Sequence, residues 1–276
     1  MRILELMGMT STKYGGIERF NKELVDKDKS DDFVFVYVEK PECDDYIKDM
    51  TTDNSQIKEI SNKSIISYCI SVVILILRFR PHIIHFHFGN EKLLLAPFVK
   101  FFFPWIRQVG TFHSECILRS LKAKIMYRLY CKCQSKIIAV SKGVQKEIAA
   151  FYDSKKLITS YLGVKCDVSE TKDEARQILG IPKNCIVLTT IGFDVTIKGF
   201  DVLVDAVELL TKERLSIPAF IVNVVGLDSV RSAKFLDIVR SKNLESYFVS
   251  MGIKNDIDMI LSATDIYLQP SRTEAI

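Results

Sequence analysis

The sequence predicts an α/β protein with two doubly wound domains, each built on a mostly parallel sheet. Short runs rich in β-branched and aromatic residues alternate with apolar-periodic helical stretches along the whole chain, which is the pattern of βαβ units. The chain has 276 residues, enough for two domains with real cores. Hydrophobic residues make up 48% and charged residues 26%, a balance typical of globular rather than disordered chains.

The predicted strands fall into two groups separated by a polar stretch. Residues 164–172 (VKCDVSETK) show no apolar periodicity, so we expect one domain over residues 1–165 and a second over residues 166–276. The strands predicted in the first domain are Arg2–Leu6, Phe33–Val38, His82–Phe88, Arg107–Phe112 and Lys136–Val140. Those predicted in the second are Cys185–Ile191, Ala219–Val225, Tyr247–Ser250 and Asp265–Leu268.

Amphipathic helices are predicted between these strands. Apolar residues recur with helical spacing in Gly16–Val25, Ser120–Cys133, Gly143–Phe151 and Phe200–Leu210. The last of these is expected to pack on the sheet through Val202, Leu203, Ala206, Leu209 and Leu210. A doubly wound sheet needs a crossover helix after the strand Asp265–Leu268, and no sequence for one follows, so the second domain is predicted to be incomplete.

Charge and cysteine content narrow the class of protein. The net charge of +4 is too small to indicate nucleic acid binding by itself. Seven cysteines are an odd number, and they lack framework spacing, which favours reduced thiols in a cytosolic protein over a secreted disulfide scaffold. Cys131-x-Cys133 does not have the spacing of the usual zinc motifs. Glycine and polar residues follow the first strand, so no signal peptide is predicted.

Three apolar stretches bear on membrane contact. Ile65–Leu77 (IISYCISVVILIL) is too short for the roughly 20 residues that span a bilayer. We interpret it as a buried helix, with contact at a membrane surface as the alternative. Lys92–Arg107 and Ser120–Lys132 mix basic with large apolar side chains. A buried amphipathic helix is the simpler interpretation of Ser120–Lys132, and an interfacial helix on anionic lipid is the alternative.

A glycine turn is the first candidate site. Gly15-Gly16-Ile17-Glu18 follows the first strand and opens a helix, where glycine lets a ligand approach the backbone and free N–H groups attract phosphate oxygens. Glycine used only for turn geometry is the alternative. The pattern matches neither Gly-x-Gly-x-x-Gly nor a Walker motif, which argues against dinucleotide and ATP sites of those kinds.

The histidines are the second feature. His85 and His87 alternate in one strand and therefore face the same side of the sheet. Packing explains them better than a metal site, because no third ligand is evident. His113 comes just past the end of Arg107–Phe112, and ligands of open α/β sheets bind outside the carboxyl ends of strands. A ligand contact is expected at His113, with a structural histidine as the alternative.

Two further features lie in the second domain. Gly192, Lys198 and Gly199 stand between its first strand and the following helix, where a lysine supplies positive charge to a diphosphate. Glu274 follows the strand Asp265–Leu268, where a carboxylate can accept hydrogen bonds from sugar hydroxyls. An ordinary solvated lysine and an exposed loop glutamate are the alternatives.

In this order, the motifs resemble those of the retaining GT-B glycosyltransferases of family 4, which build capsules, exopolysaccharides, lipopolysaccharide cores and glycolipids. The resemblance runs from Met1 to Ile276. The similar segments are Gly15-Gly16-Ile17-Glu18, Gly110-Thr111-Phe112-His113, Ala139-Val140-Ser141, Gly192-x5-Lys198-Gly199 and Asp265 to Glu274, the last resembling the start of a Glu-x7-Glu motif.

The resemblance implies a GT-B-like pair of Rossmann-like domains, the first on the acceptor side and the second binding a nucleotide sugar. It implies a bacterial hexosyl-type transferase that moves a sugar to a glycan or lipid-linked acceptor with retention of configuration. Neither metal, cofactor nor nucleic acid is implied, and the location is cytoplasmic, peripheral at the inner membrane face. The implied catalytic residues are His113, Lys198 and Glu274, and the implied donor-binding residues are Gly15, Gly16, Gly192, Lys198, Gly199 and Glu274.

Three departures from the family pattern modify this expectation. Phe193 stands where many relatives have arginine, and Leu162-Gly163-Val164-Lys165 replaces their Asn-Gly-Val-Asp. The second glutamate of Glu-x7-Glu, which holds the nucleotide ribose in relatives, would fall beyond Ile276. We therefore expect residues 1–276 to bind donor weakly and to turn over little. The alternative function is a catalytically impaired, truncated remnant that acts only as a binding or scaffold protein.

Overall fold

The computed structural model describes residues 1–12, 14–114, 120–152, 154–163, 170–213 and 218–274. Contacts divide the chain into two compact units, Met1–Lys165 and Cys166–Glu274. Most of the predicted domain boundary, residues 164–169, lies outside the described residues.

In its described part, the first unit holds a parallel sheet of seven strands. They are β1 (Arg2–Leu6), β2 (Asp32–Tyr37), β3 (Ser55–Glu59), β4 (Ile83–Phe86), β5 (Arg107–Phe112), β6 (Lys136–Ala139) and β7 (Leu157–Thr159). The order across the sheet is β3-β2-β1-β4-β5-β6-β7. The winding reverses between β1 and β4, which creates the crevice at which ligands bind in open α/β sheets.

Helices cover both faces of this sheet. They are α1 (Gly16–Lys27), α2 (Asp44–Met50), α3 (Ile65–Phe79), α4 (Lys92–Phe102), α5 (Leu121–Cys133) and α6 (Lys142–Ala149). Leu4 and Leu6 of β1 join a core formed with α3, α4, α5 and α6, while Ile3 and Met7 join a second core with α1 and α2. Because both faces of the central strands are buried, β2 is a nearly continuous apolar run.

The second unit is smaller, and its described residues form a parallel sheet of four strands. The strands are β8 (Ile186–Ile191), β9 (Phe220–Val225), β10 (Phe248–Gly252) and β11 (Ile266–Tyr267), in the order β10-β9-β8-β11. The helices are α7 (Lys172–Ile178), α8 (Phe200–Lys212), α9 (Ser229–Ser241) and α10 (Ile257–Ser262). Phe200 of α8 and Phe235 of α9 pack edge to face in the core of this unit.

The predicted α/β architecture is confirmed, and every predicted strand is present with ends shifted by at most two residues. The edge strands β3 and β7 were not predicted. The predicted inner face of α8 is wrong, because only Leu203 of its five residues is buried. The helix packs instead through Phe200, Leu203, Val204 and Val207.

The prediction of a buried helix over Ile65–Leu77 is wrong for one of its faces. Tyr68, Val72 and Ile76 of α3 enter the core, but the opposite side is solvent-exposed. No helix in the described residues is long and apolar enough to cross a membrane. The large apolar side chains that α3 exposes are Ile65, Ile66, Ile70, Ile74 and Leu77.

Four of the cysteines in the described part of the chain are free thiols: Cys43, Cys69, Cys133 and Cys185. Cys116 and Cys166 lie outside the described residues. The described ones are Cys43, Cys69, Cys131, Cys133 and Cys185.

Candidate functional site

The carboxyl ends of β1, β4 and β5 bring polar side chains together on one face of the first sheet. Glu5 is paired with His85 in the register of β1 and β4, and His85 is paired with Val109 of β5. Residues two positions along a strand share a face, so His87 and His113 follow on the same side. This cluster therefore lies where β1 and β4 form the switch point of the sheet.

A chain of hydrogen bonds joins these side chains. Oε2 of Glu5 lies 2.7 Å from Nε2 of His87 and 3.0 Å from Nδ1 of His85. The second nitrogen of His87, Nδ1, lies 2.8 Å from Nε2 of His113. The second nitrogen of His85, Nε2, lies 2.7 Å from Oγ1 of Thr111. Glu5 and His87 are each only 3% exposed, so these partners replace water.

Burial sets the charge states in this histidine cluster. Desolvation, assisted by repulsion from neighbouring positive groups, lowers the pKa of His87 to about 4 and that of His113 to about 2. Both imidazoles are therefore neutral at pH 7. Burial raises the pKa of Glu5, but attraction to His85 and hydrogen bonds from His85 and His87 outweigh it and hold the pKa well below its usual range. The Glu5 carboxylate is ionised.

Part of the cluster also has the composition of a metal site. Within the described residues, Glu5, His85 and His87 each offer one ligand atom, and these atoms lie within 4.8 Å of one another. Glu5 is the third ligand that the sequence did not reveal. Every ring nitrogen of both histidines already has a hydrogen-bond partner. Hydrogen bonding therefore accounts for the arrangement without a metal ion.

The glycine turn opens α1 beside a buried carboxylate. The Gly15 N–H donates to one oxygen of Glu18 at 3.0 Å, and the Ser11 hydroxyl donates to the other at 2.7 Å. Gly15 has an ordinary φ of −96°. A Cβ atom on Gly16 would meet nothing within 4 Å. Neither the backbone conformation nor packing requires glycine at position 16. The space beside its Cα is open to a ligand.

In the second unit, Lys198 and Glu274 form an ion pair beyond the carboxyl ends of β8 and β11. Nζ of Lys198 lies 2.6 Å from Oε1 of Glu274, and Gln269 donates to the same oxygen. The two side chains are 17% and 32% exposed, so solvent reaches both. Burial raises the pKa of Glu274, but the hydrogen bond from Lys198 outweighs it, and the net shift is downward. The sequence predicted both residues but not their direct contact.

Glycines shape the backbone around Lys198. The Cα of Gly192 lies against the aliphatic stem of Lys198, where a Cβ would clash. Gly199, with a φ of +67°, lies against the carbonyl group of Pro270. Gly226, with a φ of +99°, lies against the carbonyl group of Gly192. The left-handed conformations and the close approaches both require glycine at positions 199 and 226.

Arg272 holds the segment after β11 against the loop that precedes α8. Its backbone N–H donates to the Ile197 carbonyl at 2.9 Å, and its guanidinium donates to both carboxylate oxygens of Asp201 at 2.8 Å. The guanidinium also donates to the Thr196 carbonyl at 2.5 Å. Hydrogen bonding from Arg272 lowers the pKa of Asp201. These contacts place Glu274 beside Lys198.

The predicted site residues thus fall into separate groups. Gly192, Lys198, Gly199 and Glu274 lie together in the second unit, and His113 joins the histidine cluster in the first. Within the described residues, Gly15 and Gly16 share no hydrogen bond with His113. Sequence reasoning missed the partners that position these groups. The signal for the first was a single carboxylate in the apolar strand RILEL. The missed residues are Glu5, Asp201 and Arg272.

No protein-family model matches the sequence, and no curated protein matches it either. Solved structures do match its fold. HepE of Anabaena, solved in complex with UDP, is 17% identical with a TM-score of 0.74, over 98% of this chain and 74% of HepE. A glycosyltransferase of Rickettsia africae is 19% identical with a TM-score of 0.76, over 98% of this chain and 73% of that one.

WaaG, a glycosyltransferase involved in lipopolysaccharide biosynthesis, is 14% identical with a TM-score of 0.67, over the whole of this chain and 76% of WaaG. At these identities the likeness establishes the fold. The chain therefore has the GT-B-like architecture that the sequence predicted.

Proposed function

We propose that this chain is a retaining glycosyltransferase of family 4, transferring a hexosyl-type sugar from a nucleotide-diphosphate donor to a glycan or lipid-linked acceptor. The observation that carries the proposal is the Lys198–Glu274 pair at the carboxyl edge of a parallel sheet in a GT-B-like fold. HepE, which shares this fold, has been solved with UDP and with UDP-glucose. In this proposal the second unit binds the donor and the first faces the acceptor.

Lys198 is the residue that we assign to the leaving group. Breaking the bond to the anomeric carbon leaves negative charge on the nucleoside diphosphate, and a positioned ammonium group stabilises that charge as it develops. The backbone around Gly192 and Gly199 fixes where the ammonium stands. The role needs no metal ion, because the lysine supplies the positive charge.

Glu274 is the residue that we assign to the donor sugar. Its carboxylate is ionised and partly exposed, so it can accept hydrogen bonds from sugar hydroxyls. In the free protein its strongest partner is Lys198 at 2.6 Å. Donor binding would exchange this ion pair for two contacts, diphosphate to the ammonium and hydroxyls to the carboxylate, so neither charge is left unpaired.

The first unit contributes a neutral group and an open backbone. His113 is uncharged at pH 7, so it suits a polar contact to the donor near the anomeric carbon better than an ionic one. Gly16, at the start of α1, leaves space for the donor to approach the main chain.

A donor screen tests the proposal. UDP-, GDP- and ADP-sugars are added to the chain in thermal-shift and calorimetric measurements, and transfer of radiolabelled sugar to lipid-linked acceptors is followed in parallel. We expect one nucleotide class to shift the melting temperature and to support transfer. Binding without transfer would favour a binding or scaffold protein, and no response to any nucleotide sugar would contradict the proposal.

We also propose that the first unit docks on an anionic membrane at the cytoplasmic face. Phe101 and Trp105, in and just after α4, are 78% and 72% exposed. On α5, the apolar residues Leu121, Ile125 and Leu129 form an exposed stripe. Basic residues accompany that stripe, as on helices that lie in a lipid interface. The exposed basic residues of α5 are Lys122, Lys124, Arg128 and Lys132.

A cavity beside α3 adds to this surface. It has a volume of about 670 Å³ and is lined by apolar residues such as Leu77 and Trp105 together with Arg80 and Arg107. Among the described residues, no acidic side chain forms an ion pair with either arginine. Unpaired cations beside exposed aromatic side chains suit lipid phosphates and the acyl boundary.

Liposome co-sedimentation tests the membrane proposal. We expect binding to vesicles with anionic lipid, weaker binding to neutral vesicles, and loss of binding when Trp105 and Phe101 are replaced by serine. Lys234→Ser, on α9 of the second unit, is the control and should bind as the unmodified chain does. Equal sedimentation with and without anionic vesicles would contradict the proposal.

A further inference from the structure

The hydrogen-bond chain from Glu5 to His113 has a fixed direction. The ionised carboxylate of Glu5 accepts hydrogen bonds and donates none. His87 therefore donates to it through Nε2–H across the 2.7 Å contact. A neutral imidazole carries one N–H, so Nδ1 of His87 is left as an acceptor.

The next step fixes His113. Its Nε2 lies 2.8 Å from the acceptor nitrogen of His87, so Nε2 of His113 carries the proton. Its own Nδ1 is then an acceptor without a proton. Within the described residues, no side chain or backbone group donates to that nitrogen. These hydrogen positions follow step by step from the chemistry of each hydrogen-bond partner, starting from the carboxylate of Glu5.

We infer that Glu5 and His87 are positioning residues that hold His113 in the Nε2–H tautomer, so that Nδ1 meets the substrate as a hydrogen-bond acceptor. The catalytic consequence rests on the proposed glycosyl transfer, whereas the tautomer does not. An acceptor nitrogen pairs with a group that donates, such as a sugar hydroxyl. It repels the oxygens of a diphosphate, so a hydroxyl group of the substrate is the partner that suits His113.

The surroundings hold the cluster rigidly. Phe88 stacks on the ring of His113, with 4.4 Å between ring centroids and 20° between ring planes. Lys92 donates to the backbone carbonyl of His87 at 2.5 Å, which fixes the backbone from which that imidazole projects. His85 shares the Glu5 carboxylate, but its second nitrogen bonds to Thr111 and not to His113. His85 therefore lies on a side branch of the hydrogen-bond network and does not connect to His113.

Nitrogen-15 NMR of the histidines tests the tautomer directly. The chain has only 4 histidines, so selective labelling and single His→Gln variants assign every ring. At pH 7 we expect His113 to show a protonated Nε2 and a bare Nδ1. A protonated Nδ1, an imidazolium ring, or exchange between tautomers would overturn the inference, whether or not the chain transfers sugar.

Glu5→Gln tests the positioning role. A glutamine amide presents either an oxygen or an NH₂ group to His87, so the direction of the chain is no longer fixed. We expect a second tautomer of His113 to appear and kcat/KM to fall by about 10–100-fold, by analogy with the cost of removing a side chain that orients a metal-bound histidine. Most of the loss should be in kcat, because the donor contacts of Lys198 remain.

His85→Gln is the matched control, because it removes a hydrogen bond to the same Glu5 oxygen without interrupting the chain to His113. We expect it to keep the His113 tautomer and most of the activity. If both variants lose activity equally while His113 keeps its tautomer, the effect is structural and the inference is wrong. If the tautomer is as expected but no sugar is transferred, the proposed function fails while the hydrogen-bond chain stands.

Discussion

The two units stabilise a carboxylate at the edge of a sheet in different ways. In the first unit the Glu5 carboxylate is buried at 3% exposure and bonded to imidazoles. In the second, Glu274 is 32% exposed and bonded to a full cation, Lys198. A buried network of this kind is costly to rearrange, whereas a partly exposed ion pair separates at little cost. The first arrangement presets a site, and the second is free to exchange partners with a ligand.

Removing the cation should have the largest effect on activity. We expect Lys198→Ala to lower kcat by about 10²–10³-fold, the typical cost of deleting one group that stabilises developing negative charge. Lys212→Ala is the control, since Lys212 forms a similar lysine–glutamate pair with Glu208 at 2.5 Å, at the far end of α8. Steady-state kinetics with the best donor measures both. Equal losses in the two variants would show that the ion pair has no special role.

Acid should lower the free energy of unfolding of the first unit, because its histidine cluster is buried. The pKa values of His87 and His113 are lower in the folded protein, about 4 and about 2, than the value of about 6.5 in an unfolded chain. Below pH 6.5 the unfolded state binds more protons, so the free energy of unfolding falls by about 1.4 kcal/mol per pH unit for each group, until pH reaches the folded pKa.

Glu5 adds to this acid sensitivity. Its folded pKa is depressed, so the stability that it contributes is present above the unfolded pKa and is lost as pH falls through lower values. Urea unfolding followed by hydrogen exchange in each unit measures the slope from the histidines between pH 7 and pH 4.5, and the contribution of Glu5 appears when the series is continued below pH 4.5. A first unit as acid-resistant as the second would contradict the assignment.

A methyl group at Gly199 should destabilise the second unit alone. Gly199→Ala forces a left-handed residue with a side chain against the Pro270 carbonyl, and we expect a loss of about 1–3 kcal/mol in the free energy of unfolding. Gly16→Ala is the control, because its Cβ would meet no atom within 4 Å. Hydrogen exchange of peptides from each unit distinguishes a local from a global effect.

The smallest effect is expected at the exposed ion pair between Arg272 and Asp201. Asp201→Asn should cost about 0.2–1 kcal/mol, and high salt should remove most of the difference, because exposed pairs are screened. The buried network of the first unit should show no such salt dependence. Thermal unfolding at low and high ionic strength measures this contrast, and a salt-independent loss would place Asp201 in a role other than charge pairing.

How far the sequence predicts the molecule depends on the range of the interactions. The strands β1 and β8 are mostly apolar runs with clear ends, and sequence reasoning placed each within one residue. The edge strand β3 (SQIKE) is mostly polar and gains its conformation from pairing with β2. The wrong face of α8 has a related cause, since Leu209 and Leu210 are apolar yet exposed. Hydrophobicity alone does not reveal which side meets the sheet.

Prediction of the site residues also depended on the range of the interactions. Gly192, Lys198 and His113 lie next to strand ends and were predicted from that position. The partners of these residues are distant in sequence: Glu5 and His87 are 82 residues apart, and Lys198 and Glu274 are 76 apart. Such pairings arise only when parallel strands bring their carboxyl ends to one edge. The sequence identified individual functional residues, but it did not reveal the contacts between them.

The bare Cα of Gly192 has a consequence for how such a site is tuned. The aliphatic stem of Lys198 packs against this Cα, so the size of the side chain at position 192 sets how far the ammonium group reaches beyond the sheet. One added methyl group would lift the lysine and leave the charge of the site unchanged. The distance between cation and ligand is thus adjustable at a position that itself carries no charge.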